Sequence, residues 1–268
     1  MNLKTTQSMM LAALFAACSV AQAQTPAPAA AAPAPAAAPA SPFAFNLGVV
    51  TDYRFRGISQ TRFKPALQGG IDWTHDSGFY LGFWFSTIRI LEDIPGRKGP
   101  VELDFYGGYR GKLMSDALSY DVGLLRYQYP RENFTPTVNT TELYGSLGYG
   151  PVTVKYSHSL QKQTFGVASS RGTGYLEAAA TFDTPIWGMT ITPHIGYQKY
   201  RGSVAGVSNS SFASYVDYSL TLGKDLGNGF SLTAAVVGTD TKDPFYKSGA
   251  NNKDLGKTGL VLGAKYTF

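Results

Sequence analysis

The segment Leu260-Val261-Leu262-Gly263-Ala264-Lys265-Tyr266-Thr267-Phe268 ends the chain with two faces of different character. In a β-strand successive side chains point to opposite sides. Leu260, Leu262, Ala264, Tyr266 and Phe268 therefore share one face, and Val261, Gly263, Lys265 and Thr267 share the other. The same parity recurs upstream. Val101, Leu103, Phe105, Gly107 and Tyr109 oppose Glu102, Asp104, Tyr106, Gly108 and Arg110, and Val216, Tyr218, Leu220 and Leu222 oppose Asp217, Ser219 and Thr221. Segments of about ten residues suit a tilted strand that crosses a bilayer. A soluble sheet with one wet face gives the same alternation, so parity establishes strands but not their surroundings.

The connections decide the surroundings, because tight turns alternate with long polar stretches. The turns fall at Asp76-Ser77-Gly78, Met114-Ser115-Asp116, Gly150-Pro151, Asp183 to Gly188 and Gly227-Asn228-Gly229, all with turn-forming residues. Between them run Gly57 to Lys64, Leu91 to Pro100, Pro130 to Asn139, Gln161 to Gly172, Arg201 to Ser211 and Asp240 to Lys257. Short turns at one end and long loops at the other are the arrangement of an outer-membrane barrel. Counting between connections predicts an all-β fold, an up-and-down antiparallel transmembrane β-barrel of about twelve strands; an even number returns both termini to the periplasmic side. Aromatic residues near predicted strand ends are expected to form the interfacial girdles: Phe45, Tyr53, Phe55, Trp73, Phe79, Tyr149, Phe182, Tyr197, Tyr266 and Phe268.

Composition agrees with this reading. The chain has 268 residues and is 15% charged, with Gly 30, Tyr 17 and Phe 16, a balance that favours short aromatic strands over helices. Lys4, the apolar run Met9 to Val20 and Ala21-Gln22-Ala23 read as a signal peptide over residues 1–23, too short for a membrane helix of roughly 20 residues. Cys18 is the only cysteine, and Phe15 is a poor fit to a lipoprotein signal, so the mature chain is expected to lack thiols and disulfides. Residues 24–42 are dominated by Ala and Pro and read as a periplasmic tether, leaving 43–268 as the barrel. The formal charge of +5 is scattered, which argues against a nucleic-acid partner.

By parity the polar faces hold Asp52, Arg54, Arg56, Asp72, Glu102, Asp104, Arg110, Asp121, Glu142, Lys155, Glu177, His194, Asp217 and Lys265. An Arg or Lys facing lipid at the midplane costs about 2–4 kcal/mol, so this set is expected to face the lumen. There it either lines a water-filled pore and sets its selectivity or pairs across a narrow lumen and closes it. Acidic members outnumber basic ones, which favours cations, while Arg54 and Arg56, two residues apart, suggest a local anion site. Arg126 has the parity of Val122 and Leu124 and is expected at the outer rim or after a bulge.

Chemistry at a nucleophile finds little footing. A barrel of this size also suits an outer-membrane phospholipase, which needs a serine and a histidine in contact. His158 stands between Ser157 and Ser159, whose side chains point to the opposite face, and no Gly-x-Ser-x-Gly elbow occurs. His75, His158 and His194 lie on separate segments, so neither a metal site nor a cofactor is expected. The loops carry Arg62, Lys64, Arg97, Lys98, Arg131, Lys162, Arg171, Arg201, Lys242, Lys247, Lys253 and Lys257, suited to lipopolysaccharide phosphates or simply to solvent.

The string Asn46-Leu47-Gly48-Val49-Val50-Thr51-Asp52-Tyr53-Arg54-Phe55-Arg56-Gly57-Ile58-Ser59-Gln60 resembles the opening block of the TorF-type porin family of proteobacteria. The resemblance continues through Pro65 to Asp72, Ser77 to Gly82 and Glu102 to Tyr109. It implies an outer-membrane barrel and a porin, and carries no substrate over to this chain. Taken with the charged inner face, the expected function is diffusion of small hydrophilic solutes or ions through a narrow charged lumen in the outer membrane of a Gram-negative bacterium. The rival is a closed barrel serving adhesion or envelope integrity. The expected partners are outer-membrane lipid and lipopolysaccharide, the barrel assembly machinery through terminal Phe268, and small solutes.

Overall fold

Period-two sequences become a closed sheet here because neither edge is left open. The computed structural model describes residues 41–93, 99–114, 117–241 and 244–268. The expected signal peptide, and the tether apart from Ser41 and Pro42, lie outside them, as do Arg97, Lys98 and Lys242. The barrel strands are β1 (Phe43–Val50), β2 (Ala66–Thr74), β3 (Phe79–Thr87), β4 (Val101–Leu113), β5 (Leu118–Gln128), β6 (Thr140–Tyr149), β7 (Val152–Ser159), β8 (Gly174–Ala180, continued in register by Phe182–Asp183), β9 (Met189–Lys199), β10 (Tyr215–Gly227), β11 (Phe230–Thr239) and β12 (Gly259–Thr267). Each pairs antiparallel with its sequence neighbours, and β1 pairs with β12, so twelve strands close on themselves. Backbone bonds such as Phe45 N to Phe268 O at 2.9 Å seal the seam. In a bilayer an open edge would strand a row of backbone donors and acceptors, and closure removes that cost.

The outside is apolar over the height of the wall. Leu47, Leu81, Phe105, Leu124, Val154, Leu176, Ile195, Leu220, Leu232 and Leu262 are exposed, and such a surface is at home only in lipid. The chain is therefore an outer-membrane β-barrel. At the turn end, Phe268 lies 5.8 Å from Phe45 and 5.3 Å from Tyr266, ring stacked on ring, within an aromatic girdle that Phe79 and Tyr109 extend. Arg126 is on the outer face at the loop end, where it donates to Gln128 Oε1 at 3.0 Å and Thr141 Oγ1 at 3.1 Å. That is a rim position, reached without a bulge. No helix among the described residues is long and apolar enough to span a membrane.

The inner face alternates glycine with tyrosine. Gly82 pairs with Tyr106 and Gly123 with Tyr144. A Cβ on Gly82 would stand 2.0 Å from Tyr106 Cε2, and one on Gly123 would stand 2.5 Å from the Tyr144 hydroxyl. Each ring thus lies against the wall over its neighbour's missing side chain, which keeps the lumen from filling with aromatic bulk. Gly82→Val is expected to push Tyr106 off the wall and destabilise the barrel by about 1–3 kcal/mol. Urea-dependent folding into liposomes checks this: the midpoint should fall for Gly82→Val and recover in Gly82→Val with Tyr106→Ala.

Candidate functional site

The site is built by the first long loop, residues 51–65, which folds into the barrel. Arg54–Phe55 pairs with Ile58–Ser59 as a small hairpin whose tip is Arg56-Gly57. Both tip residues have positive φ, 45° and 79°. That is the type I′ geometry that suits a two-residue hairpin, and glycine at the second position accepts it without cost. The base is knotted by Asp52, whose Oδ1 accepts from Ser59 Oγ at 2.6 Å and Thr61 Oγ1 at 2.9 Å. Arg54 pairs with Asp52 through Nε and donates from Nη1 to the carbonyls of Gly57 at 2.9 Å and Lys257 at 3.0 Å. This ties the hairpin to the last long loop.

Burial of the hairpin is nearly complete: Tyr53 is 2%, Arg54 1% and Arg56 5% exposed. The reason is packing against the inner wall and the other loops. Tyr53 meets Trp84 edge-on at 5.5 Å, Phe55 meets Tyr127 at 5.6 Å and Phe165 at 5.0 Å, and Ile58 joins Tyr215 and Leu255. Arg56 reaches the far side of the ring. Its Nη2 donates to Glu142 Oε2 at 2.6 Å, and its Nη1 donates to Glu142 Oε1 at 3.1 Å and Gln198 Oε1 at 2.6 Å. Burial alone would lower the Arg56 guanidinium, but the adjacent Glu142 carboxylate, together with Tyr127 and Tyr175, outweighs burial and holds it charged above its ordinary value. Burial pushes the Tyr53 phenol well up, with Glu102 and Asp104 adding to the effect, so Tyr53 remains the donor to Glu102 Oε1 at 2.8 Å.

These positions correct two expectations. Tyr53 and Phe55 are not girdle residues: β1 ends at Val50, and beyond it the chain turns inward, so strand parity no longer applies. Arg54 and Arg56 do not form a shared anion site, because one is spent on Asp52 and loop carbonyls and the other on Glu142. Asp52 sits with them on the inserted loop rather than on a strand.

The remaining members of the predicted set lie on inward positions of the strands. Glu102 and Asp104 stand under the hairpin, and among the described residues Glu102 Oε2 and Asp104 Oδ1 have no hydrogen-bond partner. Farther toward the turn end, Tyr106 donates to Asp72 at 2.6 Å and Tyr80 donates to Asp121 at 2.6 Å, while Tyr80 and Tyr144 share a short hydroxyl contact. Arg110 is in register with Asp121, and Lys155 with Glu177. His194 contacts Glu177 at 3.1 Å and Asp217 at 3.6 Å. Charge of alternating sign thus runs around part of the inner wall. Asp72, Arg110, Asp121 and Lys265 are only half-buried, whereas Glu102, Asp104 and Glu142 beneath the hairpin are buried. The lumen is polar and accessible toward the turn end and filled by loop residues toward the other.

His158 points to the lipid side beside Tyr156, whose hydroxyl is 3.3 Å from its Nδ1. Among the described residues no three or more His, Cys, Asp or Glu side chains are grouped to hold a metal ion. An apolar groove lined by Trp73, Phe79, Leu81, Tyr109 and Leu124 is on the outer wall and is separate from the lumen.

The family is settled by the match of residues 36–268 to a model described as a bacterial protein of unknown function, Gcw_chp. The chain belongs to the Gcw_chp family. No curated protein matches it in sequence. Among solved structures it resembles the KdgM porin, with TM-score 0.53 and 11% identity, covering 84% of this chain and 99% of that one. A second structure, the KdgM porin in complex with disordered oligogalacturonate, gives TM-score 0.51 and 11% identity over 84% of this chain and 98% of that one. At this identity the likeness is one of fold, and it places this Gcw_chp protein in the porin architecture.

The hairpin tip has little tolerance. A Cβ on Gly57 would meet Thr239 Cγ2 at 2.5 Å and Asp217 Cβ at 2.9 Å, at a φ unfavourable to side chains. Gly57→Ala is expected to unseat the hairpin while leaving the barrel closed. Hydrogen exchange should then quicken at residues 52–60 and stay slow on the strands; unchanged exchange at 52–60 would contradict this docking.

Proposed function

We propose that this Gcw_chp protein is a porin that lets small hydrophilic solutes or ions diffuse through a narrow charged lumen, with the hairpin of the first loop forming the constriction at its outer end. The observation that carries the reading is where the closure comes from. The wall leaves a polar, partly accessible channel around Asp72, Arg110, Asp121 and Lys265, and the outer obstruction is made largely of loop side chains, Tyr53 to Ile58 above all. A loop can be displaced without breaking the strand ladder, whereas a lumen filled from the wall cannot be opened so cheaply. The resemblance of the opening block to TorF-type porins points the same way.

In this reading the inner charges set selectivity. Asp72, Glu102, Asp104, Asp121, Glu142, Glu177 and Asp217 on the wall stand against Arg110, Lys155 and Lys265, with His194 beside two carboxylates. The balance favours cations. Exposed Phe268 is the natural signal for the assembly machinery, and the basic residues of the long loops suit lipopolysaccharide phosphates.

The buried outer plug also supports a second reading, a closed barrel with a structural or adhesive role. Planar-bilayer conductance in a KCl gradient separates the two. The wild type is expected to show small channels, and replacement of residues 54–59 by Gly-Ser-Gly should enlarge them. Silence from both proteins, each shown to be folded by its heat-dependent gel shift, would leave the closed barrel standing. Arg54→Ala with Arg56→Ala is expected to move the reversal potential toward cation selectivity, because two positive charges are lost from the hairpin beside a wall already rich in carboxylates. An unchanged reversal potential would count against both residues as elements of the pore.

A further inference from the structure

The contacts of Arg56 describe a receptor as well as an anchor. Three acceptor atoms converge on the two terminal nitrogens of its guanidinium: both oxygens of Glu142, at 3.1 and 2.6 Å, and Gln198 Oε1, at 2.6 Å. The Tyr175 ring lies 4.1 Å from Cζ and supplies an aromatic face. A planar cation with forked donors fits such a set far better than a point charge does.

Every wall group in this set is oriented by something other than the loop. Gln198 donates from Nε2 to Gly174 O at 3.2 Å, which turns its oxygen toward the lumen. Glu142 Oε2 accepts from Tyr127 at 3.3 Å. Tyr175 donates to Asp217 at 3.0 and 3.1 Å. The pocket is therefore held by strands and does not need Arg56 to assemble it. With the hairpin withdrawn, it would present a carboxylate that has lost its paired guanidinium, with Lys155 as the nearby wall cation, in a layer where, among the described residues, Glu102 Oε2 and Asp104 Oδ1 have no hydrogen-bond partner.

We propose that Glu142, Gln198 and Tyr175 form a guanidinium-binding subsite in the barrel wall, occupied by the chain's own Arg56 when the hairpin is seated and open to a guanidinium-bearing solute when it withdraws. The subsite's part in selecting solutes rests on the channel reading. Its existence does not, and it is tested by binding alone. Arg56 then acts as a tethered ligand: a solute enters by taking its place, and one lacking the forked donors competes poorly. An ammonium of equal charge satisfies fewer of the three acceptors in their fixed geometry.

Chemical rescue is the test. Arg56→Ala leaves the pocket vacant, and its heat-dependent gel shift should move to lower temperature. Ethylguanidinium chloride at low millimolar concentration is expected to raise the Arg56→Ala midpoint by about 2–4 °C. Ethylammonium chloride at the same concentration should do much less, and Arg56→Ala with Glu142→Gln should show no rescue. Equal shifts from the two salts, or rescue that survives loss of the Glu142 charge, would overturn the proposal.

Should Arg56→Ala fail to fold, the wild type still gives an answer. Ethylguanidinium competing with Arg56 should speed chymotryptic cleavage after Tyr53 or Phe55 several-fold, and ethylammonium should not; equal rates with both salts would be decisive against the subsite. A barrel that binds ethylguanidinium but never conducts would sink the channel reading while leaving the subsite in place.

Discussion

Every backbone N–H and C=O within the hydrocarbon layer needs a partner in the protein, and the rest of this structure follows from meeting that demand with strands. Closure of β1 on β12 satisfies it, and twelve strands fix a ring wide enough for a lumen and too narrow to leave that lumen empty. The two-residue repeat then divides each strand's side chains between lipid and interior. The outside becomes an unbroken apolar surface, and everything polar on the strands is driven inward or to the rims, where Arg126 sits.

Within the ring, the problem passes from hydrogen bonding to volume and charge. Glycines at inward positions let tyrosine rings lie along the wall, and their hydroxyls satisfy carboxylates that would otherwise be costly to desolvate, as Tyr106 does for Asp72 and Tyr80 for Asp121. Near the turn end these groups keep contact with solvent. At the loop end there is less water to help, and the hairpin supplies the missing charge and apolar surface together. Tyr53, Phe55 and Ile58 pack, while Arg56 offsets Glu142.

Much of the wall was legible in the sequence because period two is a strong signal when one face must be apolar. Leu260 to Phe268 announces its faces plainly, and the turns at Gly150-Pro151 and Gly227-Asn228-Gly229 carry their own chemistry. The first loop was not legible by the same means. Val49, Thr51, Tyr53 and Phe55 continue the parity of β1, so the pattern runs on past the point where the strand stops at Val50. A clue was present in Arg56-Gly57, a plausible hairpin tip between Phe55 and Ile58, but it fixes a turn and not the side of the barrel to which the turn folds. That choice depends on Glu142 and Gln198, far away in sequence and brought opposite only by closure. The Gln198 amide has no formal charge, so a search for charged residues passes over it.

The nature of the Arg56–Glu142 contact bears on whether the hairpin is a fixture or a gate. A buried ion pair is a poor way to gain stability, since desolvating two charges offsets most of their attraction, and an apolar side chain of similar size often serves as well. The neighbouring side chains would accept one, for Phe55, Phe165 and Tyr175 surround the Cζ of Arg56 at 4.9, 5.8 and 4.1 Å. What an arginine provides and an apolar residue does not is a contact whose two halves are both well solvated when apart. Glu142 beneath a withdrawn loop can be hydrated through the lumen, and Arg56 on that loop by bulk water. The separated state is therefore penalised much less than exposure of an equivalent apolar plug, while the docked state is held in one register by the forked geometry. A charged tip between Phe55 and Ile58 thus fixes the docked register while lowering the cost of separation.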